Sequence, residues 1–485
     1  MTTEYKNNGF PDISGSLTRL FPHNPTEGQL RLFQLFGDLL QPSFSDTKAL
    51  LLRGYAGTGK TSVIGALVKA LPLSGYRYVL MAPTGRAAKV MSKYAKRRAF
   101  TIHKLIYRQV ADGHTGEMAF RPQKNYATKT VFIVDEASML SDDSGFGGQS
   151  LLSDLIEFVY TDSTNRLMLI GDDAQLPPVG QALSPGMDKA YLEANFALNV
   201  LEATLTEVVR QGQESGILYN ATRLRASLAK SENDILFETK KYSDTFRMTS
   251  DKLEDGLRYA YDKYGTENTV IVCRSNRSAV QFNQYIRRVV HFYDEEIEAG
   301  DLLMVVRNNY SCLPSDSPAG FLANGDFAEV VKIVDFEERY GHRFACLSLR
   351  LPDFPEQPAF ETMVMLDTLY SDAPSLGYAE YRKLFDSVKA EYADLTSKKA
   401  LREALDKDPH LNALQIKFAY ALTCHKSQGG QWNAVFVDQG YLTDDMLGTE
   451  YLRWLYTAVT RATDELFLVN FRPEFFGLSP EGFEF

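Results

Sequence analysis

The sequence predicts an α/β protein, because short apolar runs alternate with helical patterns in two separate parts of the chain. The first part holds four runs that are apolar enough to be covered on both faces of a parallel sheet: Lys48–Leu52, Tyr76–Ala82, Thr130–Val134 and Leu167–Ile170. The second part holds four more: Thr269–Cys273, Phe418–Thr423, Ala434–Val437 and Leu466–Val469. Parallel α/β sheets bind ligands at the carboxyl ends of their strands, so we expect functional residues just after these runs.

An insertion interrupts the second part. Residues 300–366 contain β-type runs separated by turn signals, which predicts a small barrel or sandwich. Residues 376–407 are rich in Ala, Glu, Lys, Leu and Tyr at helical spacing, which predicts an exposed helical pair.

Length and composition narrow the class of protein. The chain has 485 residues, enough for about three or four domains. Apolar residues make up 44% and charged residues 24%, which excludes wholesale disorder. No transmembrane run or secretory leader is visible, so we expect a cytoplasmic protein without a membrane partner. The four cysteines are far apart, which indicates reduced thiols and no structural metal.

Charge is distributed unevenly along the chain. The net charge of −10 by itself argues against a nucleic-acid partner. Residues 86–108, however, contain eight Lys or Arg and no Asp or Glu. This basic stretch is either a solvated helix face or a nucleic-acid surface, and composition alone leaves both open.

Residues 54–61 carry the strongest single motif. They match G-x-x-x-x-G-K-[ST] directly after one apolar run and directly before a helical pattern. Such a loop turns backbone N–H groups towards phosphates, while its lysine reaches the outer phosphates and its hydroxyl is offered to Mg²⁺. We therefore predict an ATP site formed by Gly57, Thr58, Gly59, Lys60 and Thr61.

Three further residues at strand ends complete the predicted phosphate chemistry. Asp135 and Glu136 follow Thr130–Val134, where Asp135 would hold Mg²⁺ and Glu136 would orient and deprotonate water. Gln175 follows the next strand and is placed to contact the γ-phosphate.

An ordered set of motifs resembles the superfamily 1 helicases, in particular their RecD-like and Dda-like branch. The set contains the phosphate loop and residues 82–88, 101–103, 135–139, 171–179, 206–211, 421–429 and 454–462. Each motif is only moderately specific, whereas the ordered set is highly specific.

The resemblance implies two RecA-like P-loop domains. Residues 1–24 would be an N-terminal extension, 25–230 the first domain, and 231–299 with 413–485 the second. A wedge hairpin would occupy about residues 107–128, with Phe120 at the point of strand separation, although a plain loop connection stays open. Residues 300–412 would form an SH3-like β insert with a helical extension.

The resemblance also implies residues around the nucleotide. Arg210 and Arg461 would bring cations to the γ-phosphate. Gln29 would contact adenine, but Thr26–Gln29 is also a capping-box pattern and both interpretations stay open. Tyr285 or Arg287 could stack on the base, and the sequence does not choose between them.

Single-stranded DNA would contact two groups of residues by the same resemblance. Pro83, Thr84, Arg86 and His103 belong to the first domain, and His425, Ser427 and Gln428 to the second. His103 could instead be a buried, hydrogen-bonded histidine, and His425 and Gln428 could couple the nucleotide and DNA sites.

The predicted function is that of an ATP-dependent and Mg²⁺-dependent DNA helicase. It would translocate 5′ to 3′ on single-stranded DNA and unwind duplex at junctions with single strands, as a monomer. A nucleic-acid-stimulated ATPase that remodels protein–DNA complexes is the alternative. A P-loop kinase is disfavoured by the second α/β part, and Glu136 argues against an inactive binding module.

Overall fold

The structure is a computed structural model that describes residues 12–41, 47–111, 118–142, 150–209, 214–230, 234–314, 317, 319 and 321–478. The described residues form two compact units. The first lies within Met1–Pro83, Ala87–Arg108 and Phe120–Glu214, and the second within Thr84–Arg86, Gln109–Ala119 and Ser215–Phe485. Among the described residues, no helix is both long and apolar enough to span a membrane.

The first unit is built on a parallel sheet of six strands in the order β3-β2-β6-β7-β1-β8. Its strands are β1 (Lys48–Gly54), β2 (Arg77–Ala82), β3 (Ala99–Thr101), β6 (Thr130–Val134), β7 (Arg166–Gly171) and β8 (Asn199–Leu205). Its helices are α1 (Ile13–Leu20), α2 (Glu27–Leu40), α3 (Lys60–Ala70), α4 (Gly85–Ala95, in this unit from Ala87 onward), α5 (Ile102–Ile106), α6 (Leu151–Val159) and α7 (Lys189–Phe196).

Strand β1 shows why this sheet is buried on both faces. Leu50 and Leu52 point into one apolar cluster with α2 and α3, whereas Ala49 and Leu51 point into a second cluster with α6. Successive side chains of a strand alternate between faces, so a continuous apolar run fills both clusters.

A short strand pair follows α5. Strands β4 (Tyr107–Ala111) and β5 (Met118–Pro122) form a separate two-stranded sheet where a hairpin was expected. Residues 112–117, which join them, lie outside the described residues.

The second unit contains another parallel sheet, of five strands in the order β16-β10-β17-β18-β9. Its strands are β9 (Thr245–Met248), β10 (Thr269–Cys273), β16 (Ala421–Thr423), β17 (Trp432–Asp438) and β18 (Ala462–Val469). The helices with it are α8 (Gly216–Lys230), α9 (Leu253–Tyr264), α10 (Asn276–Tyr285), α13 (Cys424–Ser427) and α14 (Thr449–Val459). Two parallel α/β sheets agree with the expected pair of RecA-like domains.

The predicted insertion is a closed five-stranded barrel with two helices. The barrel strands are β11 (Leu302–Val305), β12 (Phe327–Arg339), β13 (His342–Arg350), β14 (Phe360–Met365) and β15 (Leu414–Phe418). Helices α11 (Tyr378–Glu391) and α12 (Lys398–Lys407) form the expected pair, and Leu384 and Val388 pack on Phe344 and Met365 of the barrel.

Several boundaries differ from the sequence expectation: Thr84–Arg86 and Gln109–Ala119, which are expected in the first domain, group with the second unit. The barrel takes in Leu414–Phe418 beyond residue 412, because the expected strand Phe418–Thr423 is two strands in different sheets. Helix Gly216–Lys230, which we had placed in the first domain, belongs to the second unit and packs against α14.

Candidate nucleotide and nucleic-acid site

The predicted phosphate-binding residues lie at the carboxyl ends of three neighbouring strands. The phosphate loop follows β1, Asp135 and Glu136 follow β6, and Gln175 comes shortly after β7. These strands are adjacent in the order β6-β7-β1. The parallel sheet therefore gathers all three groups at one edge, as the sequence predicted.

The phosphate loop has the backbone that its glycines were expected to allow. Gly57 has φ 76° and Gly59 has φ 83°, in the left-handed region that favours glycine. Gly59 is also the N-cap residue of α3, so the helix N-terminus opens directly onto the loop. Backbone N–H groups at such a terminus are a ready site for phosphate.

Lys60 is held at the centre of this loop. Its ammonium donates to the carbonyls of Gly54 and Tyr55, the latter at 3.1 Å, and lies 4.0 Å from the buried carboxylate of Asp172. Thr58 is buried, and its hydroxyl donates to the Tyr55 carbonyl at 2.8 Å. Thr61 follows at the start of α3 with an exposed side chain.

Gln29 fulfils the capping role and also contacts the phosphate loop. Its N–H donates to the Thr26 hydroxyl at 3.3 Å, and its side-chain oxygen accepts from the Thr26 N–H at 3.0 Å. The same side chain, only 1% exposed, donates from Nε2 to the Thr58 carbonyl at 3.1 Å. The capping box is therefore confirmed, and Gln29 links α2 to the loop.

Asp135 and Glu136 have distinct environments. Asp135 accepts a 2.5 Å hydrogen bond from the phenol of Tyr94 and a 2.9 Å bond from the N–H of Glu136. Burial, together with the neighbouring Asp135, raises the pKa of Tyr94 well above 10, so the phenol stays protonated and donates. Glu136 has φ 55°, a strained position for a residue other than glycine.

Gln175 is a buried polar side chain beside this group. It is 5% exposed, and its side-chain oxygen makes no hydrogen bond within the part of the chain that the structure describes. Buried amide oxygens normally have a partner, so this atom is available to a bound ligand or water.

Two further contacts were not predicted from the sequence. Tyr94 was not singled out, because its link to Asp135 joins two different strand–helix units. The N–H of Val209 donates to the carbonyl of Gly57 at 3.0 Å and ties the segment after β8 to the phosphate loop. The motif at residues 206–211 was the only signal for that second contact.

Arg461 lies in the second unit and is almost fully buried, at 4% exposed. Its guanidinium donates to the carbonyls of Thr457 and Gly430, at 3.0 and 3.2 Å, and to the hydroxyl of Thr460 at 3.1 Å. Within its own unit the arginine is thus bonded to the end of α14 and to the segment before β17.

The predicted DNA-contacting residues of α13 differ in accessibility. His425 is exposed. Ser427 is fully buried, and its hydroxyl donates to the Cys424 carbonyl at 2.8 Å, so here it stabilises the short helix. Gln428, at 7% exposed, is buried too, and its N–H donates to the His425 carbonyl at 3.4 Å.

The residues of the other predicted DNA group are half-buried. Pro83 and Thr84 end the turn after β2. The ring of His103 lies 5.6 Å from that of Tyr107, and burial lowers its pKa. This neutral, ring-packed His103 fits the buried alternative as well as a stacking role. Arg86 stacks on the ring of Trp432 at 3.9 Å and on that of Phe327 at 4.4 Å.

The structure distinguishes the two candidates for base stacking, Tyr285 and Arg287. Arg287 is 3% exposed and forms a buried ion pair with Asp301 at 2.8 Å, so its guanidinium is committed to the structure. Tyr285 is half-buried and remains the candidate. Arg210 and the side chain of Phe120 lie outside the described residues.

Comparisons with known protein families agree with the motif set. Residues 39–243 match the AAA domain family, and residues 418–469 match the UvrD-like helicase C-terminal domain family. The first match covers the phosphate loop and the 135–136 pair, and the second covers Arg461.

Three relatives illustrate the range of similarity. The chain is 23% identical to uncharacterized protein R530 of Acanthamoeba polyphaga mimivirus, over 86% of this chain and 94% of the relative. It is 23% identical to the ATP-dependent RecD2 DNA helicase of Deinococcus radiodurans, over 87% of this chain and 46% of the relative. It is 30% identical to the ATP-dependent DNA helicase dda of Enterobacteria phage T4, over 38% of this chain and 39% of the relative. The aligned regions thus span less than half of the two named helicases.

Among solved structures, a Pif1 helicase from Bacteroides in complex with ADP-AlF3 and ssDNA aligns with 92% of each chain. The identity is 15% and the TM-score is 0.44.

Proposed function

Because the chain belongs to the RecD-like and Dda-like superfamily 1 helicases, we propose that it is an ATP-dependent DNA helicase that translocates on single-stranded DNA and unwinds duplex. The direction that the resemblance implies is 5′ to 3′. Action as a monomer is what the same resemblance implies.

One observation carries the proposal: a phosphate loop, a carboxylate pair and a buried amide meet at the ends of three adjacent parallel strands. Hydrolysis of a nucleoside triphosphate needs a phosphate cradle, a group that positions water and charge stabilisation at the γ-phosphate. This edge of the first sheet supplies the first two within one compact unit.

Each residue then has a chemical role. The ammonium of Lys60 exchanges its loop carbonyls for β- and γ-phosphate oxygens, which are stronger partners because they carry charge. Glu136 takes a proton from the attacking water, and the Gln175 amide, whose oxygen has no partner among the described residues, contacts the γ-phosphate and water.

The donor set also fits Mg²⁺. Asp135 and the Thr61 hydroxyl offer oxygen ligands, which Mg²⁺ prefers. The hydrogen bonds from Tyr94 and the Glu136 N–H orient the Asp135 carboxylate. When bound, the ion would neutralise charge on the β- and γ-phosphates.

The remaining charge stabilisation comes from Arg461 and Arg210. A guanidinium at the γ-phosphate stabilises the transition state and links hydrolysis to domain closure. For Arg461 this requires exchange of the Gly430 and Thr457 carbonyls for phosphate oxygens.

Single-stranded DNA binds through residues 83–86, His103, His425 and Gln428, with contacts that ignore sequence. The β4–β5 pair acts as the wedge that splits the duplex, and the five-stranded barrel is the SH3-like insert of this branch. Both assignments follow from their positions in the chain.

A strand-displacement assay tests the proposal. Duplexes with a 5′ tail or a 3′ tail are incubated with and without ATP, and release of a labelled complement is measured. We expect release only from the 5′-tailed duplex and only with ATP. Lys60→Ala should abolish release and hydrolysis because it removes the charge at the phosphates. Lys69→Ala, at the exposed end of the same helix, should leave both unchanged.

The other outcomes are equally informative. Hydrolysis that depends on DNA without any strand release would favour a remodelling ATPase. Phosphate transfer to a small molecule would favour a kinase. Wild-type hydrolysis by Lys60→Ala would place the nucleotide site elsewhere and overturn the proposal.

A further inference from the structure

Arg86 and Arg461, a predicted DNA contact and a predicted γ-phosphate contact, meet at one short segment. Residues 430–432 lead into β17, and both arginines contact them. All of these residues lie in the second unit. Neither of the two family matches assigns a role to residues 430–432, and the proposed phosphate chemistry does not use them.

The Arg86 side of the contact is an aromatic sandwich. The guanidinium carbon lies 3.9 Å from the ring centroid of Trp432 and 4.4 Å from that of Phe327. Both rings are buried, at 2% and 4% exposed. Burial lowers the pKa of Arg86 to about 10, opposed by Asp353, so the side chain stays charged at neutral pH. A guanidinium stacked on two buried rings is attracted to their π faces.

The Arg461 side of the contact is made by backbone. The N–H of Trp432 donates to the carbonyl of Arg461 at 3.0 Å, and the Arg461 guanidinium donates to the carbonyl of Gly430 at 3.2 Å. The backbone of residues 430–432 is therefore bonded to both the main chain and the side chain of Arg461.

Gly430 makes this close approach possible. A Cβ atom at this position would lie 2.5 Å from the Trp432 ring and 2.9 Å from Nε of Arg86. Only glycine fits between the indole and the guanidinium without displacing them.

We propose that Trp432 is a positioning residue that couples DNA contact at Arg86 to the placement of Arg461. The ring of Trp432 stacks on Arg86, and the N–H of Trp432 donates to the carbonyl of Arg461. This inference rests on the proposed function, in which Arg86 meets single-stranded DNA and Arg461 meets the γ-phosphate. Coupling between two sites is reciprocal, so nucleotide should alter DNA affinity through the same residue.

The test compares ATP hydrolysis without DNA and at saturating single-stranded DNA. Trp432→Leu keeps apolar bulk but removes the π face. We expect its basal rate to stay within about twofold of wild type, and its stimulation by DNA to fall about 30-fold, the equivalent of about 2 kcal/mol. Trp432→Phe keeps a π face and should restore most of the stimulation. Melting temperature is measured for each variant.

A second variant, Arg86→Lys, tests the same contact if Trp432→Leu does not fold. Arg86→Lys keeps the positive charge for phosphate but loses the planar face for stacking. At saturating DNA it should also lose stimulation, and the double variant should be no worse than either single one, because the two residues act as one link.

Three results would overturn the inference: unchanged stimulation in a folded Trp432→Leu, additive losses in the double variant, or wild-type dependence of DNA affinity on a non-hydrolysable ATP analogue in both variants. Failure of the proposed function looks different, since wild-type protein itself would then be indifferent to DNA.

Discussion

The two parallel sheets share a topology class but differ in what their polar side chains do. In the first unit, Lys60 bonds the phosphate loop and lies 4.0 Å from Asp172, and Tyr94 donates to Asp135. Gln175 keeps a buried oxygen without a partner among the described residues. In the second unit, Arg461 and Ser427 are buried, and both donate to backbone carbonyls of other residues in that unit.

The phosphate loop of the first unit is held by contacts within that unit. Arg461 of the second unit is bonded to carbonyls that occupy its guanidinium. Gln29 already bonds the loop at the Thr58 carbonyl, and Lys60 can exchange its carbonyl partners without leaving that loop. Arg461 lies in the second unit, and in the proposed function it gives up the Thr457 and Gly430 carbonyls before it meets a phosphate. In the proposed function, Arg461 is the group through which DNA controls hydrolysis.

The largest expected effect is on Arg461. Replacing it by alanine should lower DNA-stimulated ATP hydrolysis roughly 10³-fold or more, the usual worth of an arginine finger. ATP affinity should change little, because the phosphate loop lies in the first unit. Hydrolysis rates and nucleotide titrations check this. Arg277→Ala, an exposed arginine of the same unit, is the control. A near-normal rate would mean that Arg461 is only structural.

Glu136→Gln should separate binding from hydrolysis within the first unit. The variant keeps the shape of the side chain but removes the base, so turnover should fall roughly 10²–10⁴-fold while ATP and DNA still bind. Single-turnover hydrolysis and filter binding measure the two properties. The matched control is Glu157→Gln on the exposed face of α6. Equal loss of binding and turnover would assign Glu136 a structural role.

The hairpin should affect unwinding alone. Shortening residues 112–117 and replacing Phe120 by alanine should lower unwinding about tenfold to a hundredfold, since base stacking on an aromatic ring contributes about 1–3 kcal/mol. Translocation, followed by displacement of streptavidin from a biotinylated single strand, should stay near normal. If both activities fall together, the segment belongs to the core fold. If neither changes, the strand separator lies elsewhere, and the barrel and its helices are the next segment to test.

The smallest effect is expected from Tyr94→Phe. Loss of the hydrogen bond to Asp135 should lower turnover about twofold to tenfold, because one hydrogen bond to a charged group contributes about 1.5 kcal/mol. The effect should shrink as Mg²⁺ concentration rises. Tyr78→Phe, on β2, serves as the control. An Mg²⁺-independent loss would show that Tyr94 only supports packing.

Strands in the interior of the two parallel sheets are predicted more readily than those at their edges. Strands β1, β6 and β10 are continuous apolar runs because neighbours and helices cover them entirely. The missed strands, β3, β8 and β9, all lie at a sheet edge and are only partly buried. An edge strand does not need a continuous apolar run, so its sequence gives a weaker signal.

For the candidate site too, only part of the arrangement could be predicted from the sequence. Lys60, Asp135 and Glu136 could be predicted because each belongs to a contiguous motif. The second contact of Gln29, with Thr58, could not, since it joins residues 29 positions apart. Nor could the burial of Arg461 and Arg287, because a side chain's exposure depends on contacts distant in sequence.

The most direct test of the account is the rate of ATP hydrolysis by the wild-type chain as single-stranded DNA is added. We predict a low rate alone and a strong rise to saturation with DNA, with binding that weakens as salt increases because phosphate contacts release counterions. A rate that is the same with and without every nucleic acid tested would contradict the account.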